Sequence, residues 1–138
     1  MIEILVTTDK LIPQSSLDAV ADPSAGGTTQ FIGTVRNQTK GKKVLKLEFE
    51  AYVPMAEKEM QKIAEEVEKR WNALHVSMHH HVGTLEVGEI PVVISVATSH
   101  RKAAFEACQY AIDTLKETVP IWKKEYFEDG EVWVAAHP

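Results

Sequence analysis

The chain has 138 residues, with 15 Lys and Arg against 20 Asp and Glu and a formal net charge of −5. A composition of 44% hydrophobic and 25% charged residues is that of a globular protein and excludes disorder, collagen and a coiled coil. The length predicts a single domain over residues 1–138. The acidic balance argues against nucleic acid or a membrane as a partner, so any anion must be bound by a local cluster of cations.

Two features of the sequence bear on where the protein works. The start, MIEILVTTDKLIP, lacks the basic and apolar segments of a signal peptide, and no stretch approaches the roughly 18 to 20 apolar residues of a membrane span. Cys108 is the only cysteine, which excludes an intramolecular disulfide and a multi-cysteine metal site. We expect a cytoplasmic protein.

The start of the chain predicts a strand, a short helix and a second strand. Residues 1–8 (MIEILVTT) are typical of a strand, and residues 13–22 form a short helix with Pro13 in its first turn, where a missing N–H costs nothing. Residues 28–37 (TTQFIGTVRN) are rich in β-branched and aromatic residues. Gly33 inside this run indicates a bulge or a close approach of the backbone.

Alternating apolar and polar residues over 44–53 (VLKLEFEAYV) predict a half-buried strand, after a flexible turn at residues 37–43. A helix follows from Pro54 to Trp71, because its apolar positions recur at helical spacing. The inward positions of the strand are predicted to be Leu45, Leu47, Phe49, Ala51 and Val53.

The second half of the chain predicts two strands, a long helix and a hairpin closed by an Asp-Gly turn. The predicted elements are strands at 74–83 and 87–99, a helix at 101–118, and hairpin strands at 121–127 and 131–136. The apolar stripe of the helix holds Ala104, Phe105, Cys108, Ala111, Ile112 and Leu115. The sequence therefore predicts an α+β fold with a mixed, mainly antiparallel sheet, two main helices and a C-terminal hairpin.

Three consecutive histidines, His79, His80 and His81, are the first candidates for a metal site. Successive strand residues point to opposite faces, so His79 and His81 share one face, and His80 lies on the other with Val76 and Met78. Three such side chains do not converge on one ion, and no cysteine or carboxylate partner is nearby. A structural or exposed role is the favoured interpretation, and we expect no metal ion.

Cys108 is a candidate nucleophile, but it lies on the apolar stripe of the predicted helix. Most free cysteines in such a place are small buried hydrophobic residues, and a reactive thiol needs an electropositive neighbourhood that this face lacks. If the protein carries out sulfur chemistry, the sulfur must come from elsewhere.

The segment ATSHRKAAFEA places cations at a helix N-terminus. Ser99 can cap the helix, with His100 and Arg101 in its first turn beside free backbone N–H groups. At about 100° per residue, Arg101 lies close to the line of Cys108 and Leu115, on the inner side. This position suits a bound anion such as phosphate. The alternative is an arginine that extends to solvent or pairs with an acidic neighbour.

A pair of lysines flanks Pro120. Lys116 lies in the last turn of the helix, where it complements the negative helix end, and Pro120 ends the helix and turns the chain. The next strand then brings Lys123 back near Lys116, with Lys124 on the opposite face. Two lysines held close in space, here Lys116 and Lys123, favour a shared anionic ligand. The alternative is ordinary surface charge.

The cationic residues as a whole raise a question of distance. Phe31 and Arg36 suit a flat heterocycle that carries a phosphate. Arg101 and Lys116, however, are 15 positions apart on one helix, about 22 Å. One small ligand does not span that distance, so there are two sites, or a symmetric dimer sets one helix N-terminus near its partner's C-terminus. The dimer is the preferred hypothesis.

Four segments, FIGTVRN, TSHRKAAFEA, LKETVPIWKKE and DGEVWV, follow one another over nearly the whole chain. Together they resemble the large, catalytic subunit of molybdopterin synthase. The resemblance implies an α/β-hammerhead fold and a dimer of large subunits, each holding a small ubiquitin-like sulfur-carrier subunit. It also implies a sulfurtransferase without a cofactor, in which a Gly-Gly thiocarboxylate gives its sulfur to cyclic pyranopterin monophosphate to form the dithiolene of molybdopterin.

The resemblance also implies roles for individual residues. Lys116 and Lys123 match the catalytic pair of the family, and Phe31 matches a pocket residue. The other positions implied to bind or border the substrate are Arg36, His100 and Arg101, the backbone of Thr34 and Val35, and Lys124 and Glu125. The chain departs from the family at WVAAHP, where His137 is the candidate substitute for an arginine, and at His81, where an arginine is frequent.

Two other classes of function stay open on the residues alone. The absence of a conventional nucleophile and base is consistent with a non-catalytic module that binds a phosphorylated ligand or a partner. A Schiff-base enzyme is the third hypothesis, and it ranks low because neither lysine is isolated in a fully apolar pocket.

Overall fold

Two sheets and three helices make up the computed structural model, which describes all residues, 1–138. The strands are β1 (Ile2–Thr7), β2 (Gly27–Gly33), β3 (Gln38–Thr39), β4 (Lys42–Ala51), β5 (His75–His81), β6 (Gly83–Glu86), β7 (Val92–Thr98), β8 (Ile121–Phe127) and β9 (Val132–Ala135). The helices are α1 (Pro13–Ala19), α2 (Val53–Trp71) and α3 (Arg101–Thr118). None of the three is long and apolar enough to cross a membrane.

The first sheet has the strand order β1-β5-β7-β2. β1 pairs with β5 in parallel, and the other pairs are antiparallel. Helices α2 and α3 pack on one face, where Val76, Met78 and Ile94 are fully buried. Helix α1 packs on the other face, where the Ser16 hydroxyl lies 3.1 Å from Ser77 Oγ and 2.7 Å from Ser95 Oγ. Alternation along β5 and β7 thus separates an apolar face from a polar one.

The second sheet is antiparallel, with the order β3-β4-β8-β9 and with β6 paired to β4. Its inward residues, such as Phe49 and Ile121, join the same hydrophobic core as the apolar face of the first sheet. The two sheets therefore meet over one core, and α3 runs directly into β8 at their junction.

Several sequence predictions are confirmed. The class is α+β, Pro13 opens α1, and β8 and β9 form the C-terminal hairpin, with Gly130 at a φ of 90° in its turn. Gly33 ends β2 at a close approach, because a Cβ there would lie 2.7 Å from Cγ1 of Val92. The side chains of His79 and His80 also point to opposite faces of the sheet, as predicted. His79 is hydrogen-bonded to Ser77 and Glu3 on the polar face, and His80 packs against Phe49 of the core.

The predicted inner face of β4 is wrong at its start. The register with β8 shifts between Val44 and Lys46, so Val44 is buried and Leu45 is 47% exposed. A bulge adds one residue to one strand and reverses the faces beyond it, so strict alternation assigned Leu45 to the wrong side. Val53 belongs to α2 and not to the strand.

The region after β5 also differs from the prediction. Residues 87–91 form a turn with Gly88 at a φ of 88°, and β7 begins only at Val92. The short strand β6 precedes this turn and pairs with β4. β2 ends at Gly33 and does not continue to residue 37.

The N-terminus of α3 is less buried than its pattern indicated. The N-cap is His100 and not Ser99, and no side chain caps the helix. Arg101 is exposed, and Phe105 is 62% exposed. Both face β2, which is the edge of the first sheet, so no further strand covers this end of the apolar stripe.

Two methionines of α2 test the location of the core. Met60 is fully buried and Met55 is 43% exposed. Met60→Ala should lower the free energy of unfolding by about 2 to 5 kcal/mol, because it removes packed atoms and leaves a cavity. Met55→Ala is the matched control and should change it by about 0.5 kcal/mol or less. Urea denaturation measures both, and equal effects would contradict this burial pattern.

Candidate active site

A cavity of about 140 Å³ lies where the two sheets meet the end of α3. Six of the residues singled out in the sequence line it: Phe31, Thr34, Arg36, Lys116, Lys123 and Glu125. The remaining wall is mostly apolar and includes Leu47, Phe49, Val92 and Leu115. This volume has room for about ten water-sized groups, which suits a chain end or a ring system.

The bend at Pro120 brings Lys116 and Lys123 to this one cavity, as the sequence predicted. Lys116 lies in the last turn of α3, whose end is closed by a hydrogen bond from the Val119 N–H to the Leu115 carbonyl. β8 starts immediately after Pro120, and its alternation turns Lys123 inward, opposite Phe49 of β4.

The charges on the cavity wall do not balance. Lys123 pairs with Glu125 at 3.2 Å, whereas Lys116 and Arg36 have no ion-pair partner. Glu125 is only 8% exposed, and its Oε2 is buried without a hydrogen-bond donor. Among the lining side chains, three cations against one carboxylate leave a local excess of positive charge in a chain of net charge −5. This charge makes the cavity a candidate site for an anion.

His80 also lines the cavity, and sequence reasoning missed this. Burial lowers the pKa of His80 to about 4, and the positive charge of Lys116 acts in the same direction, so the ring is neutral at pH 7. The available signal was a polar residue on the inward face of β5, beside Val76 and Met78. Its neighbours come from other elements, which is why the pattern alone did not reveal the cavity.

Five of the expected site residues do not line the cavity, and Lys124 and Val35 are two of them. Lys124 points to the opposite face of β8 and lies 3.8 Å from Glu48 and 3.7 Å from Glu50, because strand residues alternate. Val35 is buried, and its backbone pairs with the turn after β6 by donating to Glu89 and accepting from Gly88.

His100 and Arg101 do not line the cavity of their own chain. They stand at the exposed beginning of α3, about 22 Å along the helix from Lys116. His137 is exposed and does not line the cavity, although its neighbour Pro138 does.

Cys108 is buried, as predicted for a small hydrophobic residue. Burial raises the pKa of its thiol to about 11, so it carries no thiolate at neutral pH. No three His, Cys, Asp or Glu side chains converge on one point in a way that would hold a metal ion. The charged side chains that line the cavity are Arg36, Lys116 and Lys123, with Glu125 paired to Lys123.

The fold and cavity define an α+β protein in which two lysines line one cavity, a candidate site for an anion. Residues 6–118 match the family model described as MoaE protein. The molybdopterin synthase catalytic subunit of Halalkalibacterium halodurans is 49% identical over 124 residues, which are 90% of this chain and 80% of that protein. Its counterpart in Bacillus subtilis is 45% identical, over 94% of this chain and 82% of that protein.

A solved structure agrees with these sequence relatives. Molybdopterin synthase from Staphylococcus aureus superposes with a TM-score of 0.89 at 39% identity, and the match covers 98% of this chain and 96% of that one. The chain belongs to the MoaE family.

The neutral His80 predicts a pH dependence of stability. Its pKa in the folded protein is about 4, below the ordinary 6.5, so the unfolded chain binds a proton more readily between these values. The stabilisation is fully present above about pH 6.5 and is lost as the pH falls toward about 4, on the order of 3 kcal/mol at most. Denaturant unfolding across this range should show a smaller loss for His80→Gln, and parallel curves would contradict the assignment.

Proposed function

We propose that this chain is the catalytic subunit of a molybdopterin synthase. It transfers sulfur from the C-terminal thiocarboxylate of a small ubiquitin-like sulfur-carrier subunit to cyclic pyranopterin monophosphate, forming the molybdopterin dithiolene. The observation that carries the proposal is the presence of Lys116 and Lys123 on one cavity in a member of the MoaE family.

The balance of atoms defines what such a site must do. A thiocarboxylate sulfur forms a bond to a pterin carbon while a carbon–oxygen bond at that carbon breaks, and the oxygen leaves as water or stays on the phosphate. The acyl carbon must then release the sulfur. Water supplies the oxygen that replaces it, so the carrier ends as a carboxylate and the sulfur stays on the pterin as a thiol. Addition of water to the acyl carbon places negative charge on its oxygen. Each transfer therefore passes through an oxyanion.

Lys116 and Lys123 suit this charge. Both approach the same cavity, where an apolar wall strengthens electrostatic interactions. They stabilise the oxyanion and the departing carboxylate, or transfer protons to the pterin. Arg36 adds a third cation for the phosphate of the substrate, and Phe31 adds an aromatic face for its rings.

A small sulfur-carrier subunit is inferred as the partner from the size and charge of the cavity and from the relatives of this chain. A catalytic subunit implies a second subunit, and Cys108 is too deeply buried and too weakly acidic to supply sulfur. A Gly-Gly end has no side chains, so it can enter a cavity of about 140 Å³ as an extended backbone. Its terminal anion would meet the excess positive charge.

A second copy of the chain accounts for His100 and Arg101. These residues have the character of a phosphate site at a helix N-terminus, but they stand a helix length away from Lys116. In a symmetric dimer, the start of one α3 can lie beside the cavity of the other protomer. Each active site would then contain residues of both chains.

The lysine pair gives the most direct mutational test. Lys116→Ala and Lys123→Ala should each lower the rate of molybdopterin formation by about 100-fold or more, because each removes a charge that stabilises the oxyanion. Lys62→Ala, on the exposed side of α2, is the matched control. The assay combines the protein with a thiocarboxylated small subunit and the cyclic pterin. Full activity in either lysine variant, or ligand binding by wild type without product, would contradict the proposal.

Mixing two inactive variants tests the dimer. Arg101→Ala damages one part of a shared site and Lys116→Ala damages the other. A mixed dimer then holds one intact site, so a random equal mixture should recover activity at about one quarter of the sites. Activity no higher than that of the separate variants would show that each chain forms its site alone.

A further inference from the structure

The His80 side chain has one ring nitrogen committed to the backbone and the other free. The ring is 1% exposed and packs edge-on against Phe49, with centroids 5.4 Å apart. Its Nδ1 lies 2.8 Å from the carbonyl oxygen of His81. A carbonyl only accepts, so Nδ1 carries the hydrogen, and in the neutral ring Nε2 keeps its lone pair. Nε2 has no hydrogen-bond partner in the protein.

The charged and titratable groups near this ring come from four parts of the chain. Lys116 from α3, Lys123 and Glu125 from β8, and Arg36 after β2 line the same cavity, and His81 is adjacent in β5. Lys123 already has Glu125 as its acceptor, whereas Lys116 has none. A lone pair without a donor and an ammonium group without an acceptor therefore share one cavity wall.

In this structure the two groups line one cavity without a hydrogen bond between them, and the Lys116 side chain is exposed. Building on the proposed function, we propose that His80 is a positioning residue: when the Lys116 side chain turns toward the ring, Nε2 accepts a hydrogen bond from its ammonium group and holds this cation at the cavity wall. A neutral acceptor orients the ammonium group without cancelling its charge. A carboxylate would also neutralise it and compete with the incoming anion. The two lysines thus differ: Glu125 partly neutralises Lys123, and His80 leaves the charge of Lys116 fully available.

Nitrogen NMR of His80 tests the geometry without any assay of function. Wild type should show the Nδ1-protonated tautomer and no titration between about pH 5 and about pH 8. Lys116→Ala should shift the Nε2 resonance, because the hydrogen bond is lost, and should leave Nδ1 unchanged. Lys102→Ala, an exposed lysine of the same helix, is the control and should shift neither. An Nε2-protonated tautomer, or an Nε2 signal that does not respond to Lys116→Ala, overturns the proposal.

A double-mutant cycle on binding tests whether His80 acts through Lys116. The probe is a small sulfur-carrier subunit in its stable form, with a C-terminal Gly-Gly carboxylate. His80→Leu should weaken its binding by about 10- to 100-fold, and His80→Gln, which keeps an acceptor, should restore most of the loss. In the Lys116→Ala background, His80→Leu should add less than about twofold.

The binding and NMR experiments distinguish a failure of the positioning role of His80 from a failure of the proposed function on which it rests. Equal effects of His80→Leu in both backgrounds mean that the residue only supports packing, and this overturns the positioning role. If wild type does not bind the small subunit, the proposed function fails. The NMR comparison then still decides whether His80 and Lys116 are hydrogen-bonded.

Discussion

The candidate site is defined by unbalanced positive charge on the wall of a partly apolar cavity. α3 ends at Thr118, and Pro120 directs the chain into β8, so Lys116 and Lys123 face the same space. Like charges at short range repel, and Glu125 offsets only one of them. An anionic ligand between the two lysines would remove this repulsion. The same pair of lysines would therefore bind the ligand and, in the proposed function, stabilise the oxyanion.

Charge stabilisation without a protein nucleophile fits a reaction in which the partner brings the reactive group. Cys108 is buried with a raised pKa, so it contributes packing and not sulfur. In the proposed synthase the small subunit supplies the thiocarboxylate, and this chain supplies cations that already face the cavity. Such cations reduce the reorganisation needed when the oxyanion forms, and in the proposed function this is the source of their catalytic effect.

Local rules predicted those parts of the fold and site that depend on residues close in sequence. The bend at Pro120, the burial of Cys108 and the Asp-Gly hairpin are of this kind. The exposure of Phe105 depends on β2 being a sheet edge, and a bulge such as the one before Lys46 has no sequence signature. His80 was missed as a cavity residue because Phe49 and Lys116 reach it only through tertiary packing.

The most direct measurement of the central claim is a crystal structure of this chain with a small sulfur-carrier subunit whose Gly-Gly end is resolved. The account predicts that the terminal carboxylate lies within hydrogen-bond distance, about 2.7 to 3.2 Å, of the Nζ atoms of Lys116 or Lys123. A terminus bound elsewhere, with the lysine cavity closed to it, would contradict the account.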